Sequence, residues 1–207
     1  MKKLLLIIIV LSFIACNHDN DDRQPWPGGQ IPFVMIGFTP EEEFEIFKSM
    51  LTWELASGGK VEFFIVGARE TENKPLYISK GEDSMSIGHG YDPQGGNFVV
   101  FNSTFQQTIL HELGHSLGLM HEMTRPDRDL FITVDIDSSV CPLYKYQFIP
   151  VEPKLYDFRK YPFDYNSIMM YGEYPAYGIH IDGHGHTLGS ESISIIDALK
   201  VRDIYAE

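Results

Sequence analysis

The stretch from Thr108 to Asp129, TILHELGHSLGLMHEMTRPDRD, holds three histidines and a glutamate at spacings that suit one metal ion. His111 and His115 are four residues apart, so on a helix their rings lie on one face, one turn apart. Gly118 can adopt a positive φ, which ends the helix and turns the chain so that His121 supplies a third ligand. The pattern therefore predicts a helix with two ligands and a turn that brings in the third.

Three neutral nitrogen ligands leave one coordination position for water, which distinguishes a catalytic zinc site from a closed structural one. Zinc lowers the pKa of such a water to about 7. Glu112 directly follows the first ligand, and we expect it to act as the general base that takes the water's proton. An HExxH pair alone also arises by chance on amphipathic helices, but Gly118 and His121 argue against that interpretation. The stretch predicts one Zn²⁺ per chain and amide hydrolysis.

The motif HELGHSLGLMHEMTRPDRD at 111–129 resembles the signature of the astacin family of metzincin zinc endopeptidases. A second motif, SIMMY at 167–171, resembles the Met-turn of that family. The resemblance implies that Met169 forms an apolar floor under the metal. It also implies that Tyr171 is a fifth metal ligand that swings away to stabilise the tetrahedral intermediate.

A third motif, WPGGQIPF at 26–33, resembles the opening of astacin catalytic domains, so the resemblance covers Trp26 to the end of the chain. In the family, a freed amino terminus is buried against the glutamate that follows the third ligand, here Glu122. An acylated Cys16 upstream could not make that contact. We therefore expect Glu122 to have another partner, either water or a nearby polar side chain.

The family resemblance implies an α+β fold of the metzincin type. Its upper subdomain would contain a twisted mixed sheet, a backing helix and the zinc helix, and its irregular lower subdomain would end in a C-terminal helix. Thr39, Pro40 and Glu42 form a capping box that predicts the start of the backing helix. The buried stripe of that helix is predicted to comprise Phe44, Phe47 and Leu51.

Short β-branched and aromatic runs predict strands at 61–66, 76–79 and 97–101. The resemblance assigns the last run to an edge strand that pairs with an extended substrate, although an ordinary sheet strand is an alternative. This candidate substrate strand comprises Asn97, Phe98, Val99, Val100 and Phe101.

Helix signals flank the ligands as well. The zinc helix is predicted to start near Ser103 or Thr104, with a capping glutamine at 106 or 107. Gly114 indicates close packing against a neighbour, and the predicted buried stripe comprises Leu110, Leu113 and Leu117. Ser194 and Asp197 predict the cap of a terminal helix, with Ile196, Leu199 and Ile204 facing the core.

Two other histidine-containing segments are weaker candidates. His89 lies in a glycine-rich loop and is interpreted as a residue at the rim of the site. The segment HIDGHGH at 180–186 could bind a second metal, but its spacing fits no compact metal-site pattern. By its position in the family, contact with substrate is the better interpretation of this segment.

The amino terminus predicts export. Residues 1–15 have the basic start and short apolar run of a signal peptide, and SFIAC at 12–16 resembles a bacterial lipobox in which Cys16 is lipidated. Residues 16–25 would then be the lipidated cysteine and a flexible tether, and residues 26–207 the peptidase domain. We expect a lipoprotein of the bacterial outer membrane or cell surface, with plain secretion as the alternative. Cys141 would be left as a buried thiol, with an intermolecular bridge as the alternative.

Composition limits the partners. The formal net charge of −13 excludes nucleic acid as an expected partner. Protein or peptide substrates and a membrane reached through the lipid are expected, and the chain is expected to be a monomer. A zinc-retaining, non-catalytic surface binding module is the alternative function, and the presence of Glu112 argues against it.

Overall fold

The computed structural model describes residues 23–67, 74–82, 84–86, 89–137, 139–140, 145–172 and 178–206. The predicted signal peptide, Cys16 and Cys141 lie outside this part of the chain, so the expectations for them stay predictions. No helix within the described ranges is long and apolar enough to span a bilayer.

The upper half is built on a five-stranded mixed sheet with the strand order β2-β1-β3-β5-β4. The strands are β1 (Gln30–Ile36), β2 (Glu62–Ile65), β3 (Leu76–Lys80), β4 (Met85–Ser86) and β5 (Phe98–Phe101). All neighbours pair in parallel except β4, which runs antiparallel to β5. The three predicted strand runs are confirmed as β2, β3 and β5, whereas β1 and β4 were not predicted.

The backing helix α1 (Pro40–Ala56) begins with the predicted capping box, in which Thr39 and Glu42 exchange side chain to backbone hydrogen bonds. Its predicted buried stripe is wrong. The three predicted side chains are 42–65% exposed. The buried residues are instead Ile46, Ser49, Met50 and Trp53. The helix is apolar on two faces, and the face containing Trp53, whose indole nitrogen donates to the carbonyl of Leu110, is the one that packs on the zinc helix.

The second helix, α2 (Gln106–Ser116), carries the first two predicted ligands. Its predicted buried stripe is confirmed, because all three leucines are at most 1% exposed. Its predicted cap is wrong: the N-cap residue is Phe105, and no side chain caps the helix. The hydroxyl of Ser103 accepts from the backbone N–H of Phe105, so Ser103 stabilises a turn before the helix instead.

The lower half, from Gly118 onward, consists mainly of short 3₁₀ turns and loops, as predicted. A small antiparallel sheet joins β6 (Thr133–Ile136) to β7 (Ile179–Asp182), so part of the predicted histidine-rich loop is a strand. A separate apolar cluster, with Met123, Ile132 and Phe163 among its members, supports this half.

The terminal helix α3 (Ile195–Ile204) has the predicted capping box between Ser194 and Asp197. Ile204 is buried as predicted, but Leu199 is 41% exposed, so its predicted place in the core is wrong. The buried face comprises Asp197, Lys200, Val201 and Ile204. Two charged residues therefore face the interior.

The amino-terminal segment joins the domain before Trp26. Gln24 forms an isolated β-bridge with Tyr91, and Arg23 donates to the carbonyl of Gly90. The buried indole of Trp26 donates to the carbonyl of Ser116 at 2.8 Å, at the end of α2. The predicted assignment of Arg23 and Gln24 to a flexible tether is therefore wrong.

Candidate metal centre

The end of α2 has the geometry that directs the chain toward the third histidine. Gly118 has a φ of +105°, and its N–H bonds the carbonyl of His115 while the N–H of Leu119 bonds that of Gly114. These two bonds form a Schellman motif. The positive φ favours glycine here, and a Cβ, which would lie 2.7 Å from a methyl carbon of Leu155, would also require that side chain to shift.

His111, His115 and His121 converge as predicted. The Nε2 atoms of His111 and His115 lie 3.1 Å and 3.0 Å from Nε2 of His121. Tetrahedral zinc, with zinc–nitrogen bonds of about 2.0–2.1 Å, separates its ligand atoms by roughly 3.3 Å. Among the described residues, these three form the one group of histidine, cysteine or acidic side chains compact enough to hold a metal ion.

Hydrogen bonds fix the tautomers of the two helical ligands. Nδ1 of His111 lies 2.8 Å from the carbonyl of Ile168, and Nδ1 of His115 lies 2.8 Å from the carbonyl of Leu119. A carbonyl oxygen only accepts, so each Nδ1 carries the proton and each Nε2 presents its lone pair to the common point. Three nitrogen atoms so close together, with at least two lone pairs converging, fit a cation such as Zn²⁺.

Burial keeps the imidazoles neutral. Desolvation lowers the pKa of His111 to about 4, against a smaller raising effect from its bond to Ile168. Desolvation also lowers the pKa of His115 and of His121 well below the ordinary value. Neutral imidazole is the form that binds metal, so protons compete weakly for this site.

Glu112 is 7% exposed and borders the same space. Burial raises the pKa of its carboxyl group to about 8, and a backbone hydrogen bond from Ser86 in β4 partly offsets this. In the metal-free protein the group is therefore suited to exchanging a proton near neutral pH. A bound cation would favour the carboxylate, which is the form that accepts a proton as a general base.

Met169 packs against α2 at Gly114, and its role as the floor of the site stays a prediction. A Cβ on Gly114, between the two helical ligands, would be 2.7 Å from the sulfur of Met169, which confirms the predicted close packing at that glycine. The ring centre of Tyr171 lies 5.3 Å from that of His111 and 4.5 Å from that of His121. The structure therefore places Tyr171 beside two of the histidines and Met169 against the helix that carries His111 and His115.

Glu122 has a partner that the sequence did not reveal. Its carboxylate is fully buried and pairs with the buried ammonium of Lys200 from α3. It also accepts from Arg125 at 3.0 Å and from the backbone of Asp164 at 2.9 Å. The expectation of a nearby polar side chain as partner is therefore confirmed. Lys200 could have been found from its position on α3, one turn from Asp197 and one turn from Ile204.

The candidate substrate strand is not at the edge of the sheet. β5 lies between β3 and β4, so the predicted edge position of 97–101 is wrong, and β4 is the terminal strand of the described sheet. The side chain of Asn97 is 2% exposed and bonds Lys74 and Asp92. Its role is to stabilise the loop before β5.

The other histidines divide between the rim and the lower half. The ring of His89 lies 4.9 Å from that of His115, which agrees with a rim position. His186 stacks on Tyr165 at 4.0 Å, and His184 lies 3.0 Å from the hydroxyl of Thr133. The segment 180–186 does not form a compact metal cluster in the described structure.

A cavity of about 460 Å³ opens beside Glu112 and His111. One wall is the segment 188–191, which includes the exposed side chain of Glu191. The amide of Gln107 on α2 donates to the carbonyl of Ser190 at 3.1 Å and holds this wall in place. The metal centre therefore adjoins a space large enough for a side chain.

Comparison with known sequences gives a consistent result. Residues 18–205 match the Astacin family of peptidases. The chain is 31% identical to Tolloid-like protein 1 of Mus musculus over 156 residues, which is 70% of this chain and 14% of that protein. It is 35% identical to Astacin-like metalloprotease toxin 2 of Loxosceles intermedia over 159 residues, or 73% of this chain and 57% of the toxin. The chain thus spans only part of the length of these relatives.

Solved structures share the fold. High choriolytic enzyme 1 of Oryzias latipes, a hatching enzyme zinc-protease, superposes with a TM-score of 0.65 at 22% identity and covers 92% of this chain and 96% of its own. Myroilysin superposes with a TM-score of 0.62 at 21% identity, covering 89% and 96%. The expected metzincin-type α+β fold is thereby confirmed. The sequence match over nearly the whole chain, together with the three convergent histidines and the shared fold, shows that this protein belongs to the astacin family.

Proposed function

We propose that this protein is a zinc-dependent endopeptidase that hydrolyses peptide bonds in proteins or peptides. The observation that carries the proposal is the buried Glu112 beside the three convergent imidazoles, at a cavity that can admit a side chain. A binding module would need the histidines but not this carboxylate, which is costly to bury without a partner charge. The non-catalytic alternative is therefore disfavoured.

When bound by His111, His115 and His121, zinc supplies Lewis acidity that polarises the scissile carbonyl and acidifies water. Glu112 accepts the proton of the attacking water and delivers it to the nitrogen of the departing amine. The hydroxyl of Tyr171, whose ring lies beside two of the histidines, donates a hydrogen bond to the carbonyl oxygen as negative charge develops there. Met169 keeps the floor of the site apolar and rigid.

We propose β4, rather than β5, as the strand along which an extended substrate lies. β4 is the terminal strand of the described sheet, and its Ser86 bonds Glu112 directly. A substrate paired with β4 would therefore present its backbone next to the general base.

The cavity beside Glu112 is proposed to hold one substrate side chain. Its described lining includes the carboxylates of Glu112 and Glu191, and none of these lining residues is a lysine or arginine. The chain also carries a net charge of −13. A basic substrate side chain therefore fits the charge of this space better than an acidic one.

Hydrolysis is tested by incubating the chain without its signal peptide with a fluorogenic peptide library and mapping the cut sites by mass spectrometry. We expect cleavage that stops when a chelator removes the metal and returns with one equivalent of Zn²⁺. Zinc binding at one equivalent with no cleavage of any peptide would favour the binding module.

We also propose that the chain is exported and anchored by lipid at Cys16, with the alternative of plain secretion. The support is the signal-like run at 1–15 followed by the lipobox-like 12–16. Labelling with a radioactive fatty acid, with Cys16→Ala as control, tests the anchor. The anchor predicts that the parent chain is labelled and that the variant is not. If neither chain is labelled, plain secretion is the remaining explanation.

We propose that the protein is a monomer, which sedimentation of the delipidated chain would test.

A further inference from the structure

The terminal helix α3 directs two buried charges at the segments that support the metal centre. Asp197 and Lys200 are three residues apart on the buried face and are 0% and 1% exposed. Buried lysines and aspartates require charged or hydrogen-bonding partners. Both have partners, and these lie in two different loops of the lower half.

Asp197 holds the loop that fixes the first ligand. Its carboxylate accepts from the hydroxyl of Ser167 at 2.6 Å and from the backbone N–H of Ile168 at 2.8 Å. The carbonyl of Ile168 in turn accepts from Nδ1 of His111. Asp197, in the first turn of α3, is therefore linked to His111 through Ile168.

Lys200 holds the loop that contains the third ligand. Its ammonium pairs with Glu122, the residue directly after His121. The backbone N–H of Glu122 bonds the carbonyl of Met169 at 3.0 Å, so the same residue also joins the His121 loop to the floor. His121 is the ligand that does not lie on α2, and its position therefore depends on this loop.

The carboxylate of Glu122 is satisfied from within the domain. One oxygen accepts from Arg125 and Asp164, and the other accepts from Lys200. The first described residues of the chain lie elsewhere, because Gln24 pairs with Tyr91. No cation from the amino terminus is needed to complete this group.

We propose that Lys200 is a positioning residue for the hydrolysis proposed above: as an internal counter-ion of Glu122 beside Arg125, it fixes His121 and makes the site complete whatever the state of the amino terminus. The effect of Lys200 on catalysis rests on the proposed function. The effect of Lys200 on metal binding is independent of that function.

The first test compares Lys200→Met with the double variant Glu122→Gln/Lys200→Met, using Lys48→Met as control. Like Lys200, Lys48 pairs with a glutamate. Its partner lies three residues away on the same helix, and the side chain of Lys48 is 43% exposed. The measurements are thermal stability, Zn²⁺ affinity, the visible spectrum of the Co²⁺-substituted protein, and kcat and KM. Lys200→Met leaves the buried Glu122 carboxylate with Arg125 as its remaining counter-ion, and the double variant removes this less compensated charge, so it should be the more stable of the two.

We expect the double variant to regain most of the stability lost by Lys200→Met. It should still bind Zn²⁺ 10- to 100-fold more weakly, on the order typical for loss of a group that orients a ligand. Its Co²⁺ spectrum should change and kcat should fall with KM nearly constant, while Lys48→Met matches the parent. A folded double variant with the parental metal affinity and Co²⁺ spectrum would overturn the proposal, even if the parent hydrolysed nothing.

The second test compares residues 16–207 with a free and with an acetylated amino terminus. We expect equal Co²⁺ spectra and kcat/KM values within about twofold. A tenfold loss on acetylation, or a changed spectrum, would show that an amino-terminal charge is required and would overturn the proposal.

Discussion

The sulfur of Met169 occupies the space beside Gly114, where a built Cβ would lie 2.7 Å from it and 3.2 Å from the ring of Trp53. Gly114 lies on α2 between the two helical metal ligands. Met169 therefore approaches the helix closely at the place where the metal must be held. Glycine here allows that approach at a cost in helix propensity of about 1 kcal/mol relative to alanine.

Gly114→Ala should therefore destabilise the protein by about 1–3 kcal/mol, because overpacking against a buried methionine outweighs the gain in propensity. Urea unfolding of the zinc-loaded protein measures this free energy. Gly67→Ala is the control, since no atom of the described residues lies within 4 Å of a Cβ there and φ is not positive. A stabilised Gly114→Ala variant would show that Met169 has space to move.

Metal removal should lower the melting temperature. Because the histidines converge only in the folded chain, free Zn²⁺ at 1,000 times its Kd should add about 4 kcal/mol to the free energy of unfolding. Differential scanning calorimetry with buffered Zn²⁺ measures this dependence. His121→Ala should lose most of the response, and an unchanged response would contradict the assignment of His121 as a ligand.

In the metal-free protein, the contribution of Glu112 to the free energy of unfolding should fall as pH rises from about 5 to about 8. Glu112 has a folded-state pKa of about 8 against an ordinary value of 4.5, so the folded chain binds more protons in this window. Its contribution is fully present below pH 4.5 and is lost as pH rises toward 8. A difference of one in pKa between the folded and unfolded chain corresponds to about 1.4 kcal/mol, so the effect is on the order of a few kcal/mol.

Glu112→Gln isolates this effect, since the variant cannot ionise while the histidines titrate as in the parent. Urea unfolding of both metal-free proteins at several pH values should show that the free energy of unfolding of the variant increases relative to that of the parent as pH rises. A difference that does not vary with pH would mean that Glu112 has an ordinary pKa in the folded chain.

Charge at Glu191 should influence substrate choice. Glu191→Lys places a cation on the wall of the cavity beside Glu112, so the preference for a basic over an acidic side chain should fall by about tenfold or more in kcat/KM, or about 1.4 kcal/mol. Paired peptides that differ at one position next to the cut measure this ratio. Glu41→Lys makes the same charge change on the exposed start of α1 and should leave the ratio unchanged. Equal shifts in both variants would indicate a general charge effect.

The metal centre was predictable because it is encoded locally. His111, Glu112 and His115 share one helical turn, and Gly118 specifies the turn that brings in His121. The capping boxes of α1 and α3 were also readable, because each involves residues only three apart. Local rules of this kind do not depend on what packs against the element.

The remainder depended on tertiary packing. On α1, the helical spacing of Phe44, Phe47 and Leu51 suggested that this stripe faces the core, but the face with Trp53 fits against α2. On α3, the apolar pattern hid a buried face with two charges, since the partners of Lys200 and Asp197 lie in loops that are distant in sequence. The two-residue strand β4 is too short to show a period, so the true edge of the sheet was missed.

The central claim is tested most directly by measuring zinc content and peptide hydrolysis of Glu112→Gln beside the parent chain. The account predicts about one Zn²⁺ in each protein and a loss of kcat in the variant of about 10²- to 10⁴-fold, the range typical for removal of a general base. A variant that keeps both its zinc and its activity would contradict the assignment of Glu112 as the base of this peptidase.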